Sequence, residues 1–207
     1  MIQQTVHLFV FDSLADWEAS YAIAGINSPA MPNAAGRYRV QTVGITREPV
    51  TTMGGMRVLP DIALEELVSV GSALLILPGG ERWDAGELTE VMPHVARFLS
   101  ASVPVAAICG ATAGLARAGF LDTVRHTSNA AGYLQATGYH GAAHYQDVGA
   151  VADGEIITAG ATGALEFAAQ IFRRLDLYPA DVTDAWYQLF KTGDAAQFAR
   201  LAALAEA

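Results

Sequence analysis

The one cysteine of the chain, Cys109, stands between the apolar run Val103-Pro104-Val105-Ala106-Ala107-Ile108 and the small-residue run Gly110-Ala111-Thr112-Ala113-Gly114. A buried strand that passes straight into a helix is the layout in which a sharp turn presents a nucleophile. The residues two positions away must then be small, and they are Ala107 and Ala111. At a helix amino end the thiol gains thiolate character from the helix dipole, so this spacing predicts a lowered thiol pKa. The plainer alternative is a core cysteine packed as a small hydrophobe.

Other groups could serve that thiol. Leu77-Pro78-Gly79-Gly80 closes a second apolar run, Ala73 to Leu77, and the amides of Gly80 and Gly110 together would make a two-donor oxyanion hole; alone, the glycines are a plain turn. Glu18, in Asp16-Trp17-Glu18, follows a third apolar run, Val6 to Phe11. A carboxyl shielded from water beside a thiol holds its proton longer and can exchange it with sulfur or substrate; an exposed one would simply favour the first turn of a helix. Trp83, just past the glycines, either walls the pocket or packs in the core.

These groups need a scaffold that brings three loops together. The continuous runs 6–11, 73–77 and 103–108 suit buried parallel strands, Tyr38 to Val43 alternates like another, and Ile156 to Thr158 adds one more. Val50 to Leu59 around Gly54-Gly55 reads as a hairpin, and Asp61 as a helix cap. Helical segments are expected from Leu14 towards Ile23, over Leu88 to Leu99 with Pro93 splitting it or opening a second helix, over Gly110 to Arg117, and over Ala164 to Leu175. Two more, about 179 to 205, finish the chain. Strands alternating with helices imply right-handed crossovers and an α/β fold: a flavodoxin-like doubly wound sandwich with a mostly parallel sheet, here read as a single domain over residues 1–207. In such sheets ligands sit beyond the carboxyl ends of the strands, where Glu18, Gly79 and Cys109 all fall.

Composition narrows the function further. Against 21 Asp+Glu there are 12 Lys+Arg, a net charge of −9, and no basic stripe that could track phosphates, so nucleic acid is excluded as a partner. The strongly apolar runs span about five residues where a bilayer needs about 20. Met1-Ile2-Gln3-Gln4 carries no basic leader, so the cytoplasm is the expected location. With one cysteine there is no intrachain disulfide and no cysteine-based zinc cluster. His140 and His144 are spaced for a shared metal on a helix, but Gly138 and Gly141 disfavour that helix. No dinucleotide or phosphate-loop fingerprint is present, and Gly160-Ala161-Thr162-Gly163 reads as the turn into the helix that holds Glu166. Neither a cofactor nor a metal is expected.

Four segments, Asp16-Trp17-Glu18, Leu77-Pro78-Gly79-Gly80, Ala106-Ala107-Ile108-Cys109-Gly110 and Gly163-Ala164-Leu165-Glu166-Phe167-Ala168, in this order and at these distances, resemble the ThiJ/PfpI superfamily, whose fold is related to class I glutamine amidotransferases. Arg125-His126-Thr127-Ser128-Asn129 and Trp186-Tyr187-Gln188-Leu189-Phe190-Lys191 are similar to its bacterial amidotransferase-like branch. The resemblance implies an elbow cysteine at Cys109, a partner carboxyl at Glu18, amide donors from Gly80 and Gly110, and a homodimer.

The chain also departs from the superfamily. It has no late His-Pro-Glu segment to complete an amidotransferase triad, and Gly110 stands where protease-labelled members place a His. Other members put a His near the cysteine at the position matching Asn129. His126 is three residues away, which in a strand reverses the face. Gly79, Trp83, His126 and Asn129 are therefore candidates for contacting a small-molecule substrate. Two readings follow: an enzyme whose Cys109 attacks a small electrophile by hydrolysis, hydration or glyoxalase-like rearrangement, or a stress protein whose Cys109 is reversibly oxidised.

Overall fold

The computed structural model describes residues 3–206; Met1 and Ile2, at the amino end read above as lacking a leader, lie outside them. Strand β1 (Gln4–Phe9) leads through a loop to α1 (Ser20–Asn27), followed by β2 (Tyr38–Gly44), a hairpin of β3 (Val50–Thr51) and β4 (Arg57–Val58), and β5 (Ile62–Ala63). Next come β6 (Ser72–Leu77), α2 (Glu81–Asp84), α3 (Met92–Ser100), β7 (Val105–Ile108), α4 (Gly110–Arg117) and α5 (Ala131–Gln135). The chain ends with β8 (Ala150–Asp153), β9 (Ile156–Ala159), α6 (Ala164–Arg174), α7 (Ala180–Thr192) and α8 (Ala195–Glu206). The main sheet has the order β5-β2-β1-β6-β7-β9-β8, with every neighbour parallel except β8 against β9. This is the doubly wound, flavodoxin-like arrangement.

The central strands are apolar at nearly every position because helices cover both of their faces. Leu74 to Leu77 and Val105 to Ile108 have no exposed surface. The odd residues of β1 and its extension, His7, Phe9 and Phe11, meet Phe98 of α3 and Trp83 of α2 edge to face. In the other layer Phe172 of α6 packs on Tyr178 and on Trp186 of α7. Trp186 is thus closed into the domain, whereas Phe190, one turn later, is 51% exposed beside Tyr21.

Two local expectations are corrected. The first helix starts at Ser20 rather than near Leu14, because residues 12–16 clamp two other segments. Asp12 and Asp16 accept the amides of Thr51 and Gly54 in the hairpin, and Leu14 bridges to Gly80. Asp61 caps no helix; its carboxylate accepts from the amide and hydroxyl of Thr42, tying β5 to β2. The edge strands β5 and β8 are too short to carry a periodic signal. Pro93 lies in the first turn of α3, after a 3-10 turn over Thr89–Val91.

Candidate active site

Sheet order sets the site. β1, β6 and β7 are adjacent, so the loops leaving their carboxyl ends converge where the winding reverses direction. Cys109 follows β7 directly with φ 57° and ψ −123°, a left-handed backbone that costs a non-glycine residue roughly 1–3 kcal/mol and persists only when its surroundings enforce it. Here they do. The Cys109 amide donates to the Ala159 carbonyl at 2.9 Å, and its carbonyl accepts the Thr112 amide at 3.1 Å and the Thr112 hydroxyl at 2.6 Å. Ser128 Oγ lies 2.6 Å from that same hydroxyl. The turn therefore has partners on β9, on α4 and on the segment leading to Asn129.

Glu18 reaches this thiol from the loop after β1 and is completely buried. Its Oε2 accepts the Gly79 amide at 2.5 Å, while Oε1 has no hydrogen-bond partner. Gly79 is where the groups meet: a Cβ there would stand 2.7 Å from Cys109 Cβ, 2.7 Å from Glu18 Oε2 and 2.9 Å from the Gly110 nitrogen. Only glycine lets carboxyl and thiol come together. The Gly79 amide is committed to Glu18, and the Gly110 amide faces the sulfur. The Gly80 amide makes no hydrogen bond among the described residues, and its carbonyl accepts the Trp83 amide.

Burial pushes the Glu18 carboxyl up to about 7, against the pull of the Gly79 amide and of Cys109. Burial, reinforced by the Glu18 charge, pushes the Cys109 thiol up to about 12, although Asn129 and Gly110 donate towards it. The lowered thiol pKa expected from the helix dipole is corrected accordingly: desolvation and a neighbouring carboxylate outweigh it. The two groups titrate as a pair. One proton leaves near neutrality, and the charge left behind opposes the loss of the second.

Asn129 completes the contact. Its Oδ1 accepts the Ala161 amide at 2.9 Å, which turns Nδ2 towards Cys109 Sγ at 3.4 Å. His126 and Trp83 do not join them. His126 is fully buried, with Nδ1 on the Val124 carbonyl, Nε2 on the Tyr139 hydroxyl, and its ring against Tyr139 and Tyr145; burial lowers its pKa. Trp83 is 1% exposed, donates Nε1–H to the Pro78 carbonyl at 2.8 Å and supports α4 from below. The ring lies so close that a Cβ on Gly114 would stand 2.5 Å from Cζ3. It is a core residue that backs the elbow.

Sequence reasoning missed Thr112, Ser128, Tyr133 and Asp84. Thr112 and Ser128 lie inside segments already singled out, and a hydroxyl three residues after the nucleophile was the available signal. Tyr133, on α5, donates to Asp84 Oδ1 at 2.5 Å. Burial and the Asp84 carboxylate raise its pKa, and it is near enough to Cys109 to feel a charge there. Nothing in the sequence pairs those two positions. His140 and His144 share no helix, and among the described residues no group of three or more His, Cys, Asp or Glu could hold a metal ion. No helix among them is long and apolar enough to cross a membrane.

The model of the DJ-1/PfpI family matches residues 4–174, which include every loop of this site. The chain belongs to the DJ-1/PfpI family. Its DJ-1/PfpI relatives include the Bacillus subtilis "uncharacterized protease YoaZ", 38% identical over 93% of each chain. Among solved structures, a thiJ/pfpI family protein from Bacillus anthracis superimposes with a TM-score of 0.88 at 39% identity over 96% of each chain. The DJ-1 superfamily protein Atu0886 from Agrobacterium tumefaciens follows at 0.82 and 32%, over 91% of this chain and 97% of its own. In this DJ-1/PfpI protein the thiol has Gly110 next in sequence and Asn129 beside the sulfur, while His126 is turned away into the core.

Proposed function

We propose that this protein is an enzyme in which Cys109 attacks an electrophilic carbon of a small substrate. The observation that carries the reading is the fully buried Glu18 carboxyl acting on the one thiol of the chain, with its Oε1 left without a hydrogen-bond partner. A buried polar atom left unpaired is costly, and a proton taken up by the carboxyl from Sγ relieves it. In the reaction the thiol proton moves to Glu18 Oε1 and the sulfur lone pair forms the C–S bond. The π electrons of the attacked bond move to its heteroatom, which accepts the Gly110 and Gly80 amides. Glu18 then returns the proton to the leaving group or to the anion formed, and a water that gives its proton to Glu18 attacks the same carbon, breaks the C–S bond and releases the thiolate, which takes that proton back. Hydrolysis, hydration and glyoxalase-like rearrangement all fit this sequence; glutamine amidotransfer and peptide hydrolysis, which call for a histidine base, fit it poorly.

The test is turnover of methylglyoxal, simple amides and isonitriles by the wild-type protein, Cys109→Ser and Glu18→Gln. Turnover of one class that vanishes in Cys109→Ser supports the enzyme. Absence of turnover together with stoichiometric peroxide oxidation of Cys109 favours the second reading, a redox-responsive protein; the Asn129 and Gly110 donors at the sulfur, which would also hold an S–O oxygen, speak for it. The proposal includes a cytoplasmic homodimer, for which light scattering should give twice the 21.8 kDa of one chain.

A further inference from the structure

Two buried hydroxyls beside the elbow have no part in the proton transfer. Thr112, in the first turn of α4, has no exposed surface, and Ser128, in the segment before α5, is 6% exposed. Thr112 Oγ1 lies 2.6 Å from the Cys109 carbonyl oxygen and 2.6 Å from Ser128 Oγ. A hydroxyl has one proton to give, and a carbonyl oxygen can only accept. The Thr112 proton is therefore spent on Cys109, and Ser128 is the donor to Thr112. The result is a directed chain from Ser128 through Thr112 to Cys109, in which both hydroxyl protons have fixed directions.

Each end of this chain needs holding. At one end is the carbonyl of the residue with φ 57°, a conformation that stands only when its neighbours enforce it. At the other is Asn129, the residue after Ser128. It is exposed, yet its Nδ2 stays 3.4 Å from Cys109 Sγ. The segment is tied to β9 and the loop beyond it: the Thr127 amide donates to Thr158 Oγ1 at 2.9 Å, Asn129 Oδ1 accepts the Ala161 amide, and a Cβ on Gly160 would stand 2.7 Å from the Ser128 carbonyl oxygen. Into α4, the helix that the elbow opens, it makes one hydrogen bond among the described residues, from Ser128 to Thr112.

We propose that Thr112 and Ser128 are positioning residues: their hydroxyl chain holds the Cys109 turn and the Asn129 amide in register, so the reactivity of the thiol depends on two hydroxyls that themselves give the sulfur no hydrogen bond. The proposal rests on the reading of Cys109 as a nucleophile and assigns part of its activation.

Iodoacetamide tests it without a known substrate, since the thiolate displaces iodide and forms a C–S bond. The rate at Cys109, followed by intact mass at pH 8, above the ionisation of the Glu18–Cys109 pair, is compared in six proteins. They are the wild type, Asn129→Ala, Ser128→Ala, the double variant of these two, Thr112→Val and Thr112→Ser. A hydrogen bond to a charged group shifts an equilibrium by about tenfold, so Asn129→Ala should slow the reaction about tenfold and Ser128→Ala about threefold or more. In the Asn129→Ala background Ser128→Ala should add nothing, because its effect passes through that amide. Thr112→Val should also slow the reaction, and Thr112→Ser, which keeps the hydroxyl, should react at the wild-type rate. A merely loosened fold gives the opposite pattern, baring the sulfur and speeding alkylation. Wild-type or faster rates in Asn129→Ala or Ser128→Ala, a further slowing on top of Asn129→Ala, or Thr112→Ser losing as much as Thr112→Val overturns the positioning role and leaves the nucleophile standing. A wild-type thiol that does not react at all removes the nucleophile reading, and the positioning role with it.

Discussion

The carboxyl of Glu18 and the thiol of Cys109 meet over a glycine that has no room for a methyl group, and the first of their two protons leaves near pH 7. A thiolate at Cys109 would thus form by moving a proton within a buried pair, with no net charge brought in from solvent. An isolated thiolate in the same place would bear the full desolvation penalty.

The rate of Cys109 alkylation by iodoacetamide should therefore rise tenfold per pH unit below about 7, where the pair first ionises, and level off above it. In Glu18→Gln the break near 7 should vanish and the rate should climb steadily with pH as a lone buried thiol titrates. A wild-type profile without that break, or a variant that retains it, would sink the shared-proton account.

The same pair predicts how stability follows pH. Glu18 is raised from 4.5 to about 7 on folding, so the folded state holds its proton more tightly than the unfolded chain does. Its contribution is intact below pH 4.5 and is lost as pH rises towards 7. The 2.5-unit difference corresponds to about 3 kcal/mol. Urea unfolding of Glu18→Gln against wild type should show the variant gaining about that much in relative stability between pH 4.5 and 8. A difference that stays flat over this range would mean that Glu18 is not desolvated.

Gly79→Ala tests the meeting point. Nothing in the Gly79 backbone forbids alanine, so the whole effect comes from a methyl group 2.7 Å from both Cys109 Cβ and Glu18 Oε2. Overpacking of this kind costs roughly 1–3 kcal/mol. Circular dichroism should show a folded but less stable protein, and the alkylation break near pH 7 should shift as carboxyl and thiol are pushed apart. An unchanged profile would show that the pair does not depend on this contact.

Gly114→Ala sets two effects against each other. Alanine improves an exposed helix interior by about 1 kcal/mol, but here its methyl group would lie 2.5 Å from the buried Trp83 ring. The clash should win, with a net loss of about 1–2 kcal/mol in urea unfolding. Adding Trp83→Phe should restore part of it, so that the double variant is more stable than the sum of the two single changes predicts.

The central strands could be read because continuous apolar runs such as Ala73 to Leu77 have few folded alternatives, and the elbow because small residues flank Cys109. Glu18 could be named because it follows a strand whose end must converge with those of its neighbours, and Asn129 because the resemblance puts it where other members hold a His. The thiol pKa was misjudged: helix dipoles are local and visible in sequence, whereas desolvation depends on which distant segments close over a group. His126 looked like a site residue for the same reason, since its partners Tyr139 and Tyr145 come from a loop with no periodic signal. Asp84 with Tyr133 is a pairing across a long sequence separation that no local pattern encodes.

The backbone bond from Cys109 to Ala159 has a consequence for biosynthesis. The strained turn is closed by a strand made fifty residues later, and Asn129 is anchored by Ala161, two residues beyond that strand's end. On the ribosome, a chain that has emerged only as far as α5 holds the cysteine turn through Thr112 and Ser128 alone, without the bond to β9 or the anchored amide that aims at the sulfur. The full set of contacts around the sulfur exists only once β9, the last strand of the sheet, has been made.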